Sequence, residues 1–164
     1  MSSVKPPGSQ QQQPGFFDQN KDRRAWMGLL ARASKTTLEQ AWQDLSERPE
    51  YGMLRAPETG MVMVRARAGG EGGRFNLGEM TVTRCVVRTA DGRMGQSYVA
   101  GRDHRHAELA ALFDALMQNP ERRDQLNRDL LEPVRAAIEE KRTENTRKAA
   151  ATKVDFFTMV RGED

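Results

Sequence analysis

Arg102-Asp-His-Arg-His-Ala-Glu108 is the densest polar cluster in the chain, and it holds both histidines, His104 and His106. On a helix, His104 and Glu108 are i,i+4 and share a face. A His–Glu pair can move protons or ligate zinc, but zinc needs three or four protein or solvent ligands. His106 has no second histidine one turn on. The only cysteine is Cys85, which excludes a Cys-cluster metal site. No metal site is therefore expected. Asp103 suits the role of helix N-cap, with the histidines solvated or facing a partner. The sharper alternative makes His104, His106 and Glu108 catalytic. No nucleophile elbow or other Ser/Cys–His signature accompanies them.

Arginines form the second group. Arg65 and Arg67 share a face of one strand-like run, Arg84 and Arg88 share a face of another, and Arg74 lies just beyond a glycine loop. Planar guanidinium forks suit phosphate or carboxylate. Arg67, Arg74, Arg84, Arg88 and Arg102, with His106 and Glu108, are thus candidates for an anion site or an inter-subunit ion-pair surface. The bland alternative is a solvated sheet face. Gly69-Gly-Glu-Gly-Gly73 offers backbone N–H groups, yet no helix start with Gly-Lys-Ser/Thr follows it, so it reads as a loose hairpin connection.

The third group is the tail. Val154, Phe156, Phe157, Met159 and Val160 crowd five large apolar side chains into seven residues. They follow a run from Glu139 to Lys153 with almost none. Fully burying each such side chain is worth roughly 1.5–3 kcal/mol. Folding back on its own core is one outcome; docking into another chain, with Arg161 beside the plug, is the other.

The elements that must position these groups are readable from periodicity. Residues 1–19 are Gln/Pro-rich and are expected to be disordered. Residues 20–138 should form one α+β domain. Trp26, Leu29, Leu30 and Ala33, then Leu38, Ala41, Trp42 and Leu45, make two apolar stripes of an N-terminal helical hairpin, with Thr36 and Glu39 as a capping box. A small antiparallel meander follows. It comprises a short strand at Tyr51 to Ala56, a tight turn at Pro57 to Gly60, a strand at Met61 to Ala68, a strand at Glu79 to Thr89, an Ala90-Asp-Gly92 turn, and a strand at Met94 to Ala100. Asp103 starts a helix with the stripe Leu109, Leu112, Phe113 and Leu116. Another helical stretch, Arg122 to Leu131, is broken or restarted at Pro133. Residues 139–164 then form a helical arm, polar all round, ending in the docking tail.

The chain has 164 residues, 37% hydrophobic and 30% charged, with net charge +3 and pI near 9.3. Charges of both signs are interspersed, so nucleic acid is not implied. No apolar run approaches the ~20 residues that cross a bilayer, and no signal peptide is evident. A cytoplasmic location without membrane contact is expected.

Several strings together resemble the PhnG family. They are Arg55-Ala-Pro-Glu-Thr-Gly60, Gly73-Arg-Phe75, Thr83-Arg-Cys-Val-Val-Arg88, Gly101-Arg-Asp103 with His106-Ala-Glu108, Asp114-Ala-Leu-Met-Gln118, and above all Val154-Asp-Phe-Phe-Thr-Met-Val-Arg-Gly162. The likeness runs from about Trp26 to Gly162. It implies a subunit of the bacterial carbon–phosphorus lyase core complex, with PhnH, PhnI and PhnJ as partners and PhnI the direct one. It implies support for transferring the ribose triphosphate of ATP onto an alkylphosphonate with loss of adenine. On that implication MgATP is a substrate of the complex, and this chain binds no cofactor, carries no established catalytic residue and is not active alone. The readings that compete with an assembly subunit are a free-standing anion- or nucleotide-binding module and the catalytic role of the histidine cluster.

Overall fold

The computed structural model describes residues 16–67 and 72–151. Its element order is α1 (Phe16–Leu30), α2 (Lys35–Asp44), β1 (Tyr51–Arg67), β2 (Arg74–Thr89), β3 (Met94–Ala100), α3 (His104–Met117), α4 (Pro120–Leu126) and α5 (Glu132–Ala151). The architecture is α+β, with one three-stranded antiparallel sheet in the order β1-β2-β3.

Helix α3 is the centre of the molecule. Eleven of its residues are buried, including Ala107, Leu109, Leu112, Phe113 and Leu116. A helix apolar on every side must be covered on every side. The sheet covers one flank, and α1 and α2 cover others. Each of these two helices rests mainly on α3 rather than on its hairpin mate. The expected stripe of α3 is present, but it is only part of a fully enclosed surface. Asp103 caps the helix, its carboxylate accepting from the His106 N–H at 3.0 Å. That charge-assisted bond lowers the Asp103 pKa, helped by the Lys35 ammonium.

The inner sheet face alternates as expected. Thr83, Cys85, Val87 and Thr89 of β2, and Ser97 and Val99 of β3, are buried against α3. Gly95 lies where the two layers meet most closely. A Cβ there would stand 1.9 Å from the Ala111 carbonyl oxygen. Gly92 at φ 85° and Gly101 at φ 94° bracket β3 with left-handed turns that suit glycine.

Four local expectations need correction. Pro57 to Gly60 is no turn: β1 runs unbroken from Tyr51 to Arg67. Register shifts between Met53 and Arg55, and between Arg55 and Glu58, absorb the extra residues. A proline is tolerated at such a bulge on an edge strand. β2 begins at Arg74, five residues before the expected start, because β1 pairs with it throughout. The cap of α2 is Ser34, whose Oγ accepts from the Thr37 N–H at 3.0 Å, rather than Thr36. The expected restart at Pro133 is present. A π turn over Asn127–Leu131 lets the Glu132 N–H bond the Asn127 carbonyl, and places Pro133 in the first turn of α5. The wider turn brings both Leu130 and Leu131 into the core. At the N-terminal end, α1 begins at Phe16, inside the stretch expected to be disordered.

Candidate assembly surface

Among the described residues, no helix lies over the sheet's second face. Register places Val86 opposite Gln96, Arg84 opposite Tyr98, and Arg88 opposite Met94. On the β1 side, Val62 is opposite Met80, Glu58 opposite Arg84, and Gly52 opposite Arg88. Residues paired directly across strands project to the same side. Met80, Met94 and Tyr98 on this face are each exposed.

Beyond Gly60 the sheet narrows to two strands. β3 pairs only with Val82 to Arg88, so the outer parts of β1 and β2 form a ribbon with both faces in solvent. Met61, Val62, Met63, Phe75, Leu77 and Met80 are exposed there, Met61 by 68% and Leu77 by 64%. A lone two-stranded ribbon is marginal in water, and clustered apolar exposure of this kind marks interaction surfaces.

The candidate arginines do not converge. Arg67 and Arg74 face each other at the ribbon's far end. Arg84 lies ten residues along β2 from Arg74, roughly 33 Å at ~3.3 Å per residue. Arg84 and Arg55 both bind the Glu58 carboxylate, Arg55 Nη1 at 2.8 Å. Glu58 is therefore held below the usual carboxylate range, by its Arg84 hydrogen bond first and Arg55 second. Arg88 and Arg102 are exposed at separate positions.

The histidine cluster also divides. His106 is buried, and its Nε2 lies 3.0 Å from the Leu30 carbonyl oxygen. A carbonyl only accepts, so this nitrogen carries the proton and ties α3 to the end of α1. His104 sits on the exposed side with Nε2 3.1 Å from Thr59 Oγ1. Glu108 accepts from Tyr51 Oη at 2.7 Å and from Arg105 Nη1 at 2.8 Å. Burial, followed by the Glu108 carboxylate, raises the Tyr51 pKa. The three residues point to three different jobs and do not form one acid–base centre. Cys85 is buried, with its thiol pushed up to about 11 chiefly by burial. Among the described residues no group of three or more His, Cys, Asp or Glu is placed to hold a metal ion.

Asp114 opens one of the strings that carry the family resemblance, but no role for it follows from the sequence. Its carboxylate is fully buried and accepts four hydrogen bonds. These come from Arg23 Nε at 3.1 Å, Arg23 Nη2 at 2.7 Å, Trp26 Nε1 at 2.9 Å and the Gln96 N–H at 2.9 Å. It locks α1, α3 and β3 together. An acidic residue within an apolar helical stripe is the signal that could have flagged it.

The tail candidates Val154, Phe156, Phe157, Met159, Val160 and Arg161 lie outside the described residues, as do residues 68–71 of the glycine loop. Helix α5 reaches Ala151 with only Val134 buried, a solvated rod leading away from the core. No helix among the described residues is long and apolar enough to cross a membrane.

Comparison with known proteins points to one family. The family model described as "Phosphonate metabolism protein PhnG" matches residues 21–162. The alpha-D-ribose 1-methylphosphonate 5-triphosphate synthase subunit PhnG of Rhizobium meliloti (strain 1021) is 47% identical over 142 residues, covering 87% of this chain and 90% of that protein.

Proposed function

The chain belongs to the PhnG family of phosphonate metabolism proteins, and from that premise we propose that it works as a subunit of a multi-subunit ribosyl-triphosphate transferase. The complex would transfer the ribose triphosphate of MgATP to an alkylphosphonate and release adenine. This chain contributes assembly rather than the reacting groups, and binds no cofactor of its own. Its partners are PhnH, PhnI and PhnJ, with PhnI the direct neighbour, in the cytoplasm.

The observation that carries the assembly role is the solvent-exposed apolar ribbon formed by β1 and β2. Met61, Phe75 and Leu77 sit at its surface with nothing over them among the described residues. Aromatic and Met side chains are favoured anchors of interface cores. The divided histidine cluster supports the same reading, because a catalytic centre needs its acid and base within reach of one substrate. The tail, from Val154 to Arg161, supplies a second anchor on the partner.

Co-expression with the three partners tests this. Deleting residues 154–164, or substituting Met61→Asp together with Leu77→Asp, should remove the chain from the complex in gel filtration. Unchanged co-migration of both variants would reject the assembly role. His106→Asn in an intact complex should retain turnover in proportion to assembled protein.

A further inference from the structure

β3 is an edge strand, and one side of it looks into an open cleft. The alternation of its backbone can be read from its neighbours. Gly101 N–H donates to the Thr81 carbonyl, and the Arg93 carbonyl accepts from the Thr89 N–H. Odd-numbered residues therefore bond to β2. The even-numbered ones turn their backbone groups the other way. Two of these groups are already capped: the Gln96 N–H by Asp114, and the Met94 carbonyl by Arg23 and Gln118. The Gln96 carbonyl, both backbone groups of Tyr98 and the Ala100 N–H follow along the same edge.

Opposite this edge stands α1. Between them lies a cleft of about 790 Å³. Its lining residues Gly28, Ala31, Ser97 and Ala110 are small. A Cβ at Gly28 would meet nothing nearer than an Arg32 nitrogen at 3.8 Å. Small residues of this kind leave room for another backbone to approach. Lys21, Arg23 and Arg24 also line the cleft, with no carboxylate among the described lining residues. Arg23 is engaged by Asp114. Lys21 and Arg24 are exposed and have no ion-pair partner among the described residues.

We propose that the cleft accepts an extended, acidic segment of a partner chain, which adds to β3 as a fourth strand. Main-chain bonds to Gln96, Tyr98 and Ala100 would give the register, since an open edge is a template for strand addition. Lys21 and Arg24 would select carboxylates on that segment. The Asp114–Arg23 clip closes the edge at its Met94 end, so the added strand stops there. A strand is favoured over a small ligand because the edge offers donors and acceptors at peptide spacing. The proposal rests on the subunit role given above, and goes beyond it by naming the docking mode and the chemistry of the docking segment.

Hydrogen exchange of the full chain, alone and in the co-expressed complex, tests it. The Tyr98 and Ala100 amides should exchange rapidly in the free chain and at least 100-fold more slowly in the complex. Tyr98→Pro removes an outward N–H without touching the β2 ladder, so the free variant should melt within a few degrees of the parent. Its affinity for the partners should fall at least tenfold, as should that of Lys21→Glu with Arg24→Glu. Assembly with both amides still exchanging rapidly would overturn this inference while leaving the subunit role intact. Failure to co-assemble at all would overturn both. Protection with no effect of charge reversal would overturn the acidic character of the strand. Equal protection of the free chain by MgATP would mark a nucleotide cleft instead.

Discussion

Replacing Asp114 with alanine should be among the most damaging single changes in this chain. The carboxylate is fully buried and joins three elements through its four bonds. Trp26 Nε1 and the Gln96 N–H would each lose an acceptor, at about 1–3 kcal/mol apiece. Arg23 keeps 30% side-chain exposure and can turn to water. Removing the carboxylate therefore strands no buried cation, although removing Arg23 alone would leave a buried carboxylate short of its partner. The sum is about 2–6 kcal/mol, centred near 4, against a typical domain stability of about 5–15 kcal/mol. At ~2–4 °C per kcal/mol for a chain of this size, Tm should fall by about 8–16 °C. Thermal unfolding followed by circular dichroism, with urea titration as a second measure, gives the number. Asp114→Asn keeps an acceptor and the volume, so its loss should be smaller. In a double-mutant cycle, Arg23→Ala should cost much less in the Asp114→Ala background than in the parent. A fall of less than about 3 °C for Asp114→Ala would refute the view that this carboxylate locks the fold.

Other outcomes test separate parts of the structure. Gly95→Ala forces a methyl into the Ala111 carbonyl, and overpacking typically costs about 1–3 kcal/mol or more; a melting curve unchanged within 2 °C would contradict the close layer contact. Native Cys85, with its thiol raised to about 11, should react with a disulfide reagent at pH 8 at least ~100-fold more slowly than in denaturant, since the thiolate is the nucleophile. Comparable rates would place the thiol at the surface. Tyr51→Phe removes the bond to Glu108 and should cost about 1 kcal/mol. The raised Tyr51 pKa adds stability that is fully present below about pH 10 and is lost as pH rises through the folded value. The parent should therefore lose stability more steeply than the variant on the alkaline side, and parallel curves would count against the raised value.

Much of this fold is legible because local rules and tertiary packing agree. Asp103 before an apolar stripe, Ala90-Asp-Gly92 between two alternating runs, and the parity of Thr83, Cys85 and Val87 are each decided within a few residues. Pro57 misleads because turn chemistry was read without knowing that β2 supplies a partner for every neighbour around it. Pro133 is legible because a first-turn position of α5 needs no N–H from it. Asp114 is harder to see. Its partners lie 18, 88 and 91 positions away, and no spacing rule joins them. The arginine candidates show the converse. Strand parity placed Arg84 and Arg88 correctly on one face, but only register revealed that Glu58 occupies Arg84 and that Arg67 and Arg74 are far away. What the residues could signal of assembly was the exposed grease; the shape of the ribbon required coordinates.

The enclosed helix also has a consequence for biosynthesis. Everything that needs α3 for cover, from α1 to β3, leaves the ribosome before it. The span from the end of α1 at Leu30 to the end of α3 at Met117 takes about 4–17 s to make at ~5–20 residues per second. Throughout that interval the nascent polypeptide carries unsheltered apolar faces. Translation speed and chaperone access over this stretch should therefore govern the yield of native protein more strongly than they would if the shared helix came first.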